Sequence, residues 1–243
     1  MTEMKPSEEE AKRKIAAMFG RVAPHYDLLN RVMALGFDQS WRKEAVTHLE
    51  AKPGDVILDL GAGTGDLSLE IVRRCPGAKV IACDLTPQMV LAGKRRADGS
   101  GIAWVLADSE HLPFADRSAN GVISGFLLRN LPNLSQSLQE QWRVMKAGGT
   151  FVSMDTTHPT KNALYPLIWL YMEWFIPLWG RLLARERSAY VYFVHTTQGF
   201  LTAEQLAGQI EKAGFRRVQF ARRMLGLIAI HAAAKPHYPE EPE

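Results

Sequence analysis

Cysteine is scarce in this sequence. Cys75 and Cys83 are its two thiols in 243 residues, and neither stands in a CxxC or His-paired pattern. That excludes a disulfide framework and a cysteine-held metal, and it suits a small core or surface role in a reducing compartment. Strong charge of one sign is also missing. The 29 basic and 26 acidic residues leave a net +3, and no Lys/Arg-rich run or interleaved aromatic platform points to nucleic acid. The start, MTEMKPSEEEAKRK, lacks the basic-then-apolar order of a signal peptide. Long clean apolar runs are absent too. The longest, YPLIWLYMEWFIPLWGRLLA from Tyr165, is broken by Pro166, Glu173, Pro177, Gly180 and Arg181. A central glutamate costs a spanning helix about 2.5–3.5 kcal/mol, so this stretch is not expected to cross a bilayer. There is no internal repeat.

What remains is an ordinary globular composition, 47% hydrophobic and 23% charged, sufficient for one domain with an insertion. Residues 8–50 read as helical: SEEEAKRKIAAMF, a break at Ala23-Pro24, then YDLLNRVMALG and DQSWRKEAVTHL. Ser7 with Glu10 resembles a capping box, and Asp38 is a plausible cap of the third helix. From Pro53 the short apolar runs VILDL, VIACD, AWVLA, GVISGF and TFVSMD alternate with helical segments near 66–74, 87–97 and 133–146. That alternation predicts a parallel sheet covered by helices on both faces. After Asp155 an aromatic-rich insertion runs to about Phe200. A Thr202-capped helix and two closely spaced runs, FRRVQFARRM and GLIAIHAAA, follow and predict an antiparallel final pair. The expected divisions are an N-terminal helical lid (1–50), a core (51–158), an insertion (159–200), a completing helix and strands (201–235) and a flexible tail (236–243).

The segment DLGAGTGD, Asp59 to Asp66, places Gly61, Gly63 and Gly65 two residues apart after the first strand. The dinucleotide fingerprint spaces its third glycine three residues after the second, and a GxGxG loop alone is a weak signal. Three acids narrow the choice. Asp66 stands at the following helix N-terminus, where it would repel a phosphate but suit a sulfonium or ammonium group. Asp84, ending VIACD, can accept hydrogen bonds from both ribose hydroxyls. Asp108, ending WVLAD, can accept from an adenine amino group while the Ser109 backbone donates to the ring. Such acids also serve as helix caps, but three in register at successive strand ends favour adenosine with a positive charge and no phosphate. S-adenosylmethionine is that molecule.

The stretches FGRVAPHYDLLNRVMALGFDQSWR, DLGAGTGDLS, ADSEHLPFADRSANGVISGFLLRNLPN and RVMKAGG resemble the ubiquinone/menaquinone biosynthesis C-methyltransferases, from about residue 15 to 235. The resemblance implies an α/β fold, the class I S-adenosylmethionine-dependent methyltransferase. That is a Rossmann-like, seven-stranded sheet with N-terminal helices and a helical insertion after the fifth strand. It implies methylation of a ring carbon of a demethylated prenyl-quinol, most simply demethylmenaquinol. Thr64, Asp84, Asp108 and Ser109 would hold the cofactor. With their neighbours the candidate cofactor set is Asp59, Gly61, Gly63, Thr64, Gly65, Asp66, Asp84, Leu85, Asp108, Ser109 and Gly125, with no metal. The chain departs from the family pattern at Gly125, at FLLRN and at DTTHP, Asp155 to Pro159.

Such a reaction needs a phenolate, an aligned ring carbon and a proton acceptor. Arg129, just past the fourth strand, is the candidate phenolate stabiliser; its alternative is a salt bridge at the sheet edge. The base is left open among His158, Asp155, His25, Tyr26 and Asp27. Tyr26 and Asp27 are also candidates to orient substrate, and Asn130 to fix the Arg129 loop. The segment 165–183 is either a core hairpin or a wall for an isoprenoid tail. Its Trp and Tyr content and basic end (Arg181, Arg185, Arg187) favour a wall touching the membrane. The expected partners are a prenylated quinol and a membrane surface, with a homodimer left open and no nucleic acid. The expected location is cytoplasmic, peripheral to the inner membrane face. The rivals are methylation of another phenol, amine or phospholipid headgroup, and a catalytically silent cofactor-binding scaffold.

Overall fold

The computed structural model describes residues 7–158, 165–175 and 187–237. Its strands are β1 (Val56–Leu60), β2 (Lys79–Asp84), β3 (Ala103–Leu106), β4 (Ala119–Gly125), β5 (Met145–Thr156), β6 (Arg216–Arg223) and β7 (Ile228–Ala234). They form one seven-stranded sheet in the order β3-β2-β1-β4-β5-β7-β6. The first five pair in parallel. β7 runs antiparallel to both β5 and β6, so the expected antiparallel pair is present with the last strand on its inner side.

Both faces of the central strands are covered, which is why these read as largely apolar runs, whereas the edge strand β6, RRVQFARR, does not. Alternate residues face opposite ways. Leu58, Val122 and Phe151 pack with Leu206, Ile210 and Phe215 on one face. Ile57, Ile123 and Val152 pack with Trp41, Ala45 and Leu49 on the other. Each such aliphatic or aromatic side chain contributes roughly 1.5–3 kcal/mol by leaving water.

Three helices precede the sheet: α1 (Glu8–Val22), α2 (Tyr26–Met33) and α3 (Asp38–Leu49). α3 supplies Trp41, Ala45 and Leu49 to the core, so only α1 and α2 are left to act as a cover. At the start of α1, Ser7 accepts the Glu10 N–H at 3.2 Å, but the Glu10 carboxylate pairs with Lys14 at 2.7 Å, leaving half of the expected capping box. Asp38 does not cap α3. Phe37 holds that position, and Asp38 is the buried first residue of the helix. The complete box lies between Thr202 and Gln205, at the start of the helix Ala203–Lys212.

Between strands run α4 (Asp66–Arg74), α5 (Pro87–Arg96) and α6 (Leu134–Val144). The described part of the insertion holds α7 (Tyr165–Leu170), which continues into a π-helical turn (Tyr171–Phe175), and α8 (Arg187–Gly199). Ile168 and Met172 pack against Leu29 of α2 and Leu227 before β7. Trp169 and Trp174 turn outward, 48% and 68% exposed. Among the described residues no helix is long and apolar enough to cross a membrane. Arg181 and Arg185, the Arg187 and His25 side chains, and the tail from residue 238 lie outside the described residues.

Candidate active site

Strand order reverses between β1 and β4, and at such a switch point the carboxyl ends of neighbouring strands open a crevice. The loop after β1 turns there through Gly61 and Gly63, at φ 63° and 57°, a left-handed backbone that glycine adopts without a Cβ clash. A Cβ on Gly61 would come within 2.9 Å of Leu127 Cδ1. The Gly63 N–H donates to Asp84 Oδ2 at 2.8 Å, and the Thr86 N–H donates to Asp84 Oδ1 at 2.8 Å. Burial pushes the Asp84 carboxyl above its ordinary range, and these backbone donors pull it back. The resulting cleft, about 740 Å³ including its open mouth, is lined by Tyr26, Gly61, Gly63, Asp84, Leu85, Asp108, Ser109 and Gly125. Eight of the sequence-predicted site residues thus meet in one place.

Four others stand behind it. Asp59 is buried, with its Oδ2 accepting from the Ser68 N–H at 3.0 Å and hydroxyl at 2.6 Å. Burial pushes its carboxyl up to about 7 against those two hydrogen bonds. The Thr64 hydroxyl donates to Asp27 Oδ1 at 2.5 Å, and Gly65 packs under Trp104, where a Cβ would come within 2.9 Å of the indole. Asp66 departs from expectation. Its oxygens lie 3.2 Å from Arg42 Nε and 2.5 Å from Arg96 Nη2, so two guanidiniums neutralise the charge expected to face a sulfonium. Asp27 is likewise engaged by Thr64 and Arg96 and lines none of the chambers.

From α1, Lys12 reaches into the cleft, 2.7 Å from Asp108 and 2.8 Å from Glu110. Burial opposes the charge at both ends of this contact. The pairing wins, holding Asp108 below and Lys12 above their ordinary ranges.

Two apolar chambers adjoin the cleft. Phe126 lines both the cleft and an inner chamber of about 510 Å³ walled by Trp41, Tyr171, Phe193, Asn30, Asp38 and Arg129. Tyr26 and Phe19 line both the cleft and an outer chamber of about 490 Å³, rich in Met18, Val22, Leu29 and Met33. Burial raises the Tyr26 phenol above its usual range, with Asn30 at its hydroxyl, so it stays protonated near neutrality.

Arg129 borders both chambers. Its Nη1 pairs with Asp155 Oδ1 at 2.5 Å, and the two side chains are 7% and 1% exposed. Asp155 also accepts the Thr156 and Arg129 N–H groups, at 2.7 and 3.3 Å. The guanidinium lies 5.4 Å from the Phe126 ring centre and 5.1 Å from that of Phe193, while its Nε has no partner among the described residues. The salt bridge and an open face toward the chambers therefore coexist. Asn130 donates to the Phe126 carbonyl at 2.8 Å and ties down this turn. His158 points elsewhere: its Nδ1 meets the Gln198 carbonyl at 2.7 Å, and it lines none of the three cavities.

Sequence reasoning missed Lys12, Asn30, Asp38, Arg42 and Phe126 as site residues. Phe126 left a trace only in structure, a positive φ of 60°, which a bulky side chain adopts at a cost of order 1–3 kcal/mol.

The sheet order, the switch-point cleft and the strand-end acids define a Rossmann-like methyltransferase. The methyltransferase in complex with the Trm112 activator from Haloferax volcanii has the same fold, with TM-score 0.64 over 90% of this chain and 98% of that one at 17% identity. The sequence pattern of the ubiE/COQ5 methyltransferase family matches residues 5–235, and the chain belongs to that family. It is 42% identical over 240 residues to the "Ubiquinone/menaquinone biosynthesis C-methyltransferase UbiE" of Desulfotalea psychrophila, covering 96% of each chain. It is 37% identical over 224 residues to the "Demethylmenaquinone methyltransferase" of Thermobifida fusca, covering 91% of this chain and 94% of that one. The protein is an S-adenosylmethionine-dependent C-methyltransferase of quinone biosynthesis.

Proposed function

We propose that the acceptor is a prenylated demethylmenaquinol and that the cleft and its two chambers divide the work of methylating it. The observation that carries this reading is the aromatic-walled inner chamber bordered by Arg129, separated from the donor cleft by Phe126. The name of the Thermobifida relative is in keeping with this quinone, and that of the Desulfotalea relative covers both menaquinone and ubiquinone.

The cleft fits the adenosine of the donor. Gly61 and Gly63 let the backbone approach closely, and Asp84 keeps a second lone pair on each oxygen for the ribose hydroxyls. Leu85 offers an apolar edge to the base. Asp108 and Ser109 address adenine, and Lys12 shares the Asp108 carboxylate. Thr64, Gly65 and Asp66 shape the loop without touching the ligand. When bound, the donor supplies an electrophilic methyl on a sulfonium. Everything else falls to the chain: it must hold a flat ring with one oxygen ionised. Trp41, Phe126 and Phe193 give the ring apolar faces, and the outer chamber gives the first isoprene units an apolar path. The Arg129 guanidinium stays charged and favours the phenolate in a site of low dielectric. Asp155 aims Arg129 through their buried ion pair. Tyr26, held protonated, orients the ring, His158 takes no part, and the proton that the methyl displaces from the ring carbon leaves to water at the open mouth of the cleft. Confinement of both partners can supply on the order of 7–11 kcal/mol in the best cases. The exposed Trp169 and Trp174 would let the enzyme collect its lipid at the membrane surface.

Complementation of a strain lacking this step, with its lipid quinones identified by mass spectrometry, tests the reading. Restored menaquinone with S-adenosylhomocysteine formed in vitro is the expected result. Turnover only on non-quinol phenols, amines or phospholipids would overturn it.

A further inference from the structure

We infer that Asp38 selects the reduced form of the acceptor by accepting the hydroxyl that stays protonated during transfer. The inference rests on the quinol reading above and adds a specificity residue to it.

Asp38 is 1% exposed and lies on the wall of the inner chamber. Its role is not that of a helix cap, since it makes no capping hydrogen bond. Its Oδ2 receives the Gln39 side chain at 3.3 Å and sits 3.6 Å from Arg42 Nε. Its Oδ1 is buried with no partner among the described residues. A buried carboxyl oxygen without a donor is costly, and such an atom calls for an explanation. A structural pairing with Arg42 accounts for one oxygen and leaves the other unexplained. That guanidinium is moreover shared with Asp66.

The same chamber holds the complement. Arg129 Nε, on its wall, is a buried donor without a partner among the described residues, and the Asn30 amide lies on the same wall at the Tyr26 hydroxyl. The chamber therefore offers one unfilled acceptor, Asp38 Oδ1, and one unfilled donor, Arg129 Nε, around a slot of aromatic side chains. A hydroquinone ionised at one oxygen matches that set, with its remaining O–H given to Asp38 and its phenolate received by Arg129. A quinone does not match, because both its oxygens only accept and one would face the Asp38 carboxylate. Sites built to hydrogen-bond a hydroxyl reject analogues lacking it strongly, since their own buried groups are then left unpaired.

The test is anaerobic equilibrium binding of 1,4-naphthohydroquinone and 1,4-naphthoquinone to protein saturated with S-adenosylhomocysteine. The native protein is expected to favour the hydroquinone at least tenfold. Asp38→Asn, whose amide can donate as well as accept, should reduce that preference tenfold or more, chiefly by tightening the quinone, with S-adenosylhomocysteine affinity unchanged. A second arm needs no variant: 1-naphthol, with a single oxygen, can satisfy Asp38 or the phenolate donor but not both. It should bind native protein at least tenfold more weakly than the hydroquinone. Equal binding of both oxidation states, or a preference that survives in Asp38→Asn, overturns the role of Asp38 alone. Failure of every naphthalene compound to bind beside a normal donor site overturns the quinol reading itself.

Discussion

Arg129 answers to two neighbours at once, the Asp155 carboxylate on one side and the chambers on the other. Lysine keeps the charge but not the planar fork. Arg129→Lys is therefore expected to lower the methyl-transfer rate by 10–100-fold while S-adenosylmethionine affinity, measured by calorimetry, stays within about threefold; loss of both together would mark the residue as structural. Part of the rate should return at high pH, where the quinol ionises unaided. Asp59 makes a different demand. Its carboxyl, pushed up to about 7 by burial, is protonated in the folded chain where the unfolded chain has already ionised. The folded state thus binds more protons between about pH 4 and 7, and this group's contribution to stability falls as pH rises through that window. Asp59→Asn should flatten the slope of Tm against pH between 5 and 8 and raise Tm at pH 8. An unchanged slope in the folded variant would refute the shift. The acids at strand ends were readable because a strand's last residue must lie at the crevice. Their partners were not, since Lys12 comes from 96 residues before Asp108.

At the scale of elements, α1 and α2 are fastened over the cleft by charge as well as by the buried Met18, Val22 and Leu29. Lys12 pins α1 to Asp108 and Glu110, and Asp27 pins α2 to Thr64 and Arg96. Releasing the first pin should quicken traffic through the cleft. Lys12→Ala is expected to raise the dissociation rate of S-adenosylhomocysteine several-fold in stopped-flow measurements; a slower rate would show that Lys12 does not hold the cover closed. The insertion makes a separate prediction. Trp169→Ala with Trp174→Ala removes outward aromatic surface without touching Ile168 or Met172, which carry the packing. Cosedimentation with anionic liposomes should fall at least threefold, and KM should rise for a long-tailed quinol but not for a tail-less one. A lowered Tm with equal losses on both substrates would assign this face to the core. Strands and crossover helices were legible because burial on both faces leaves a dense apolar record. The α3 boundary was not: an aspartate before a helix looks the same whether it caps the backbone or, like Asp38, turns into a chamber.

Across the whole molecule, the parallel half of the sheet followed from strand–helix alternation and the antiparallel end from two closely spaced strands. Their spatial order was beyond the sequence, because a short turn joins neighbours without saying which one lies inside. β7 is the inner strand, pairing with β5 over seven residues from Thr156 to Thr150 and with β6 on its other edge. A chain ending after Leu225 would keep the glycine loop and both cofactor acids, yet leave β5 with an open edge and β6 with no partner. Such a truncation is expected to be insoluble, or to lack a cooperative thermal transition and bind no S-adenosylmethionine; a soluble, cooperatively melting product would contradict this.

The placement of β7 also sets a clock for synthesis. Every residue proposed to touch donor or acceptor emerges from the ribosome before the strand that completes the sheet. Until residues 228–234 follow, the nascent protein carries its catalytic parts beside an unpaired strand edge, the surface on which chains adhere to one another. Lys235, the residue after that strand, then donates to the Trp142 and Met145 carbonyls at 2.6 and 2.8 Å. Stalling translation before residues 228–234 have emerged should therefore yield aggregates in place of a slow enzyme, and a chaperone that shields strand edges should matter most until they do.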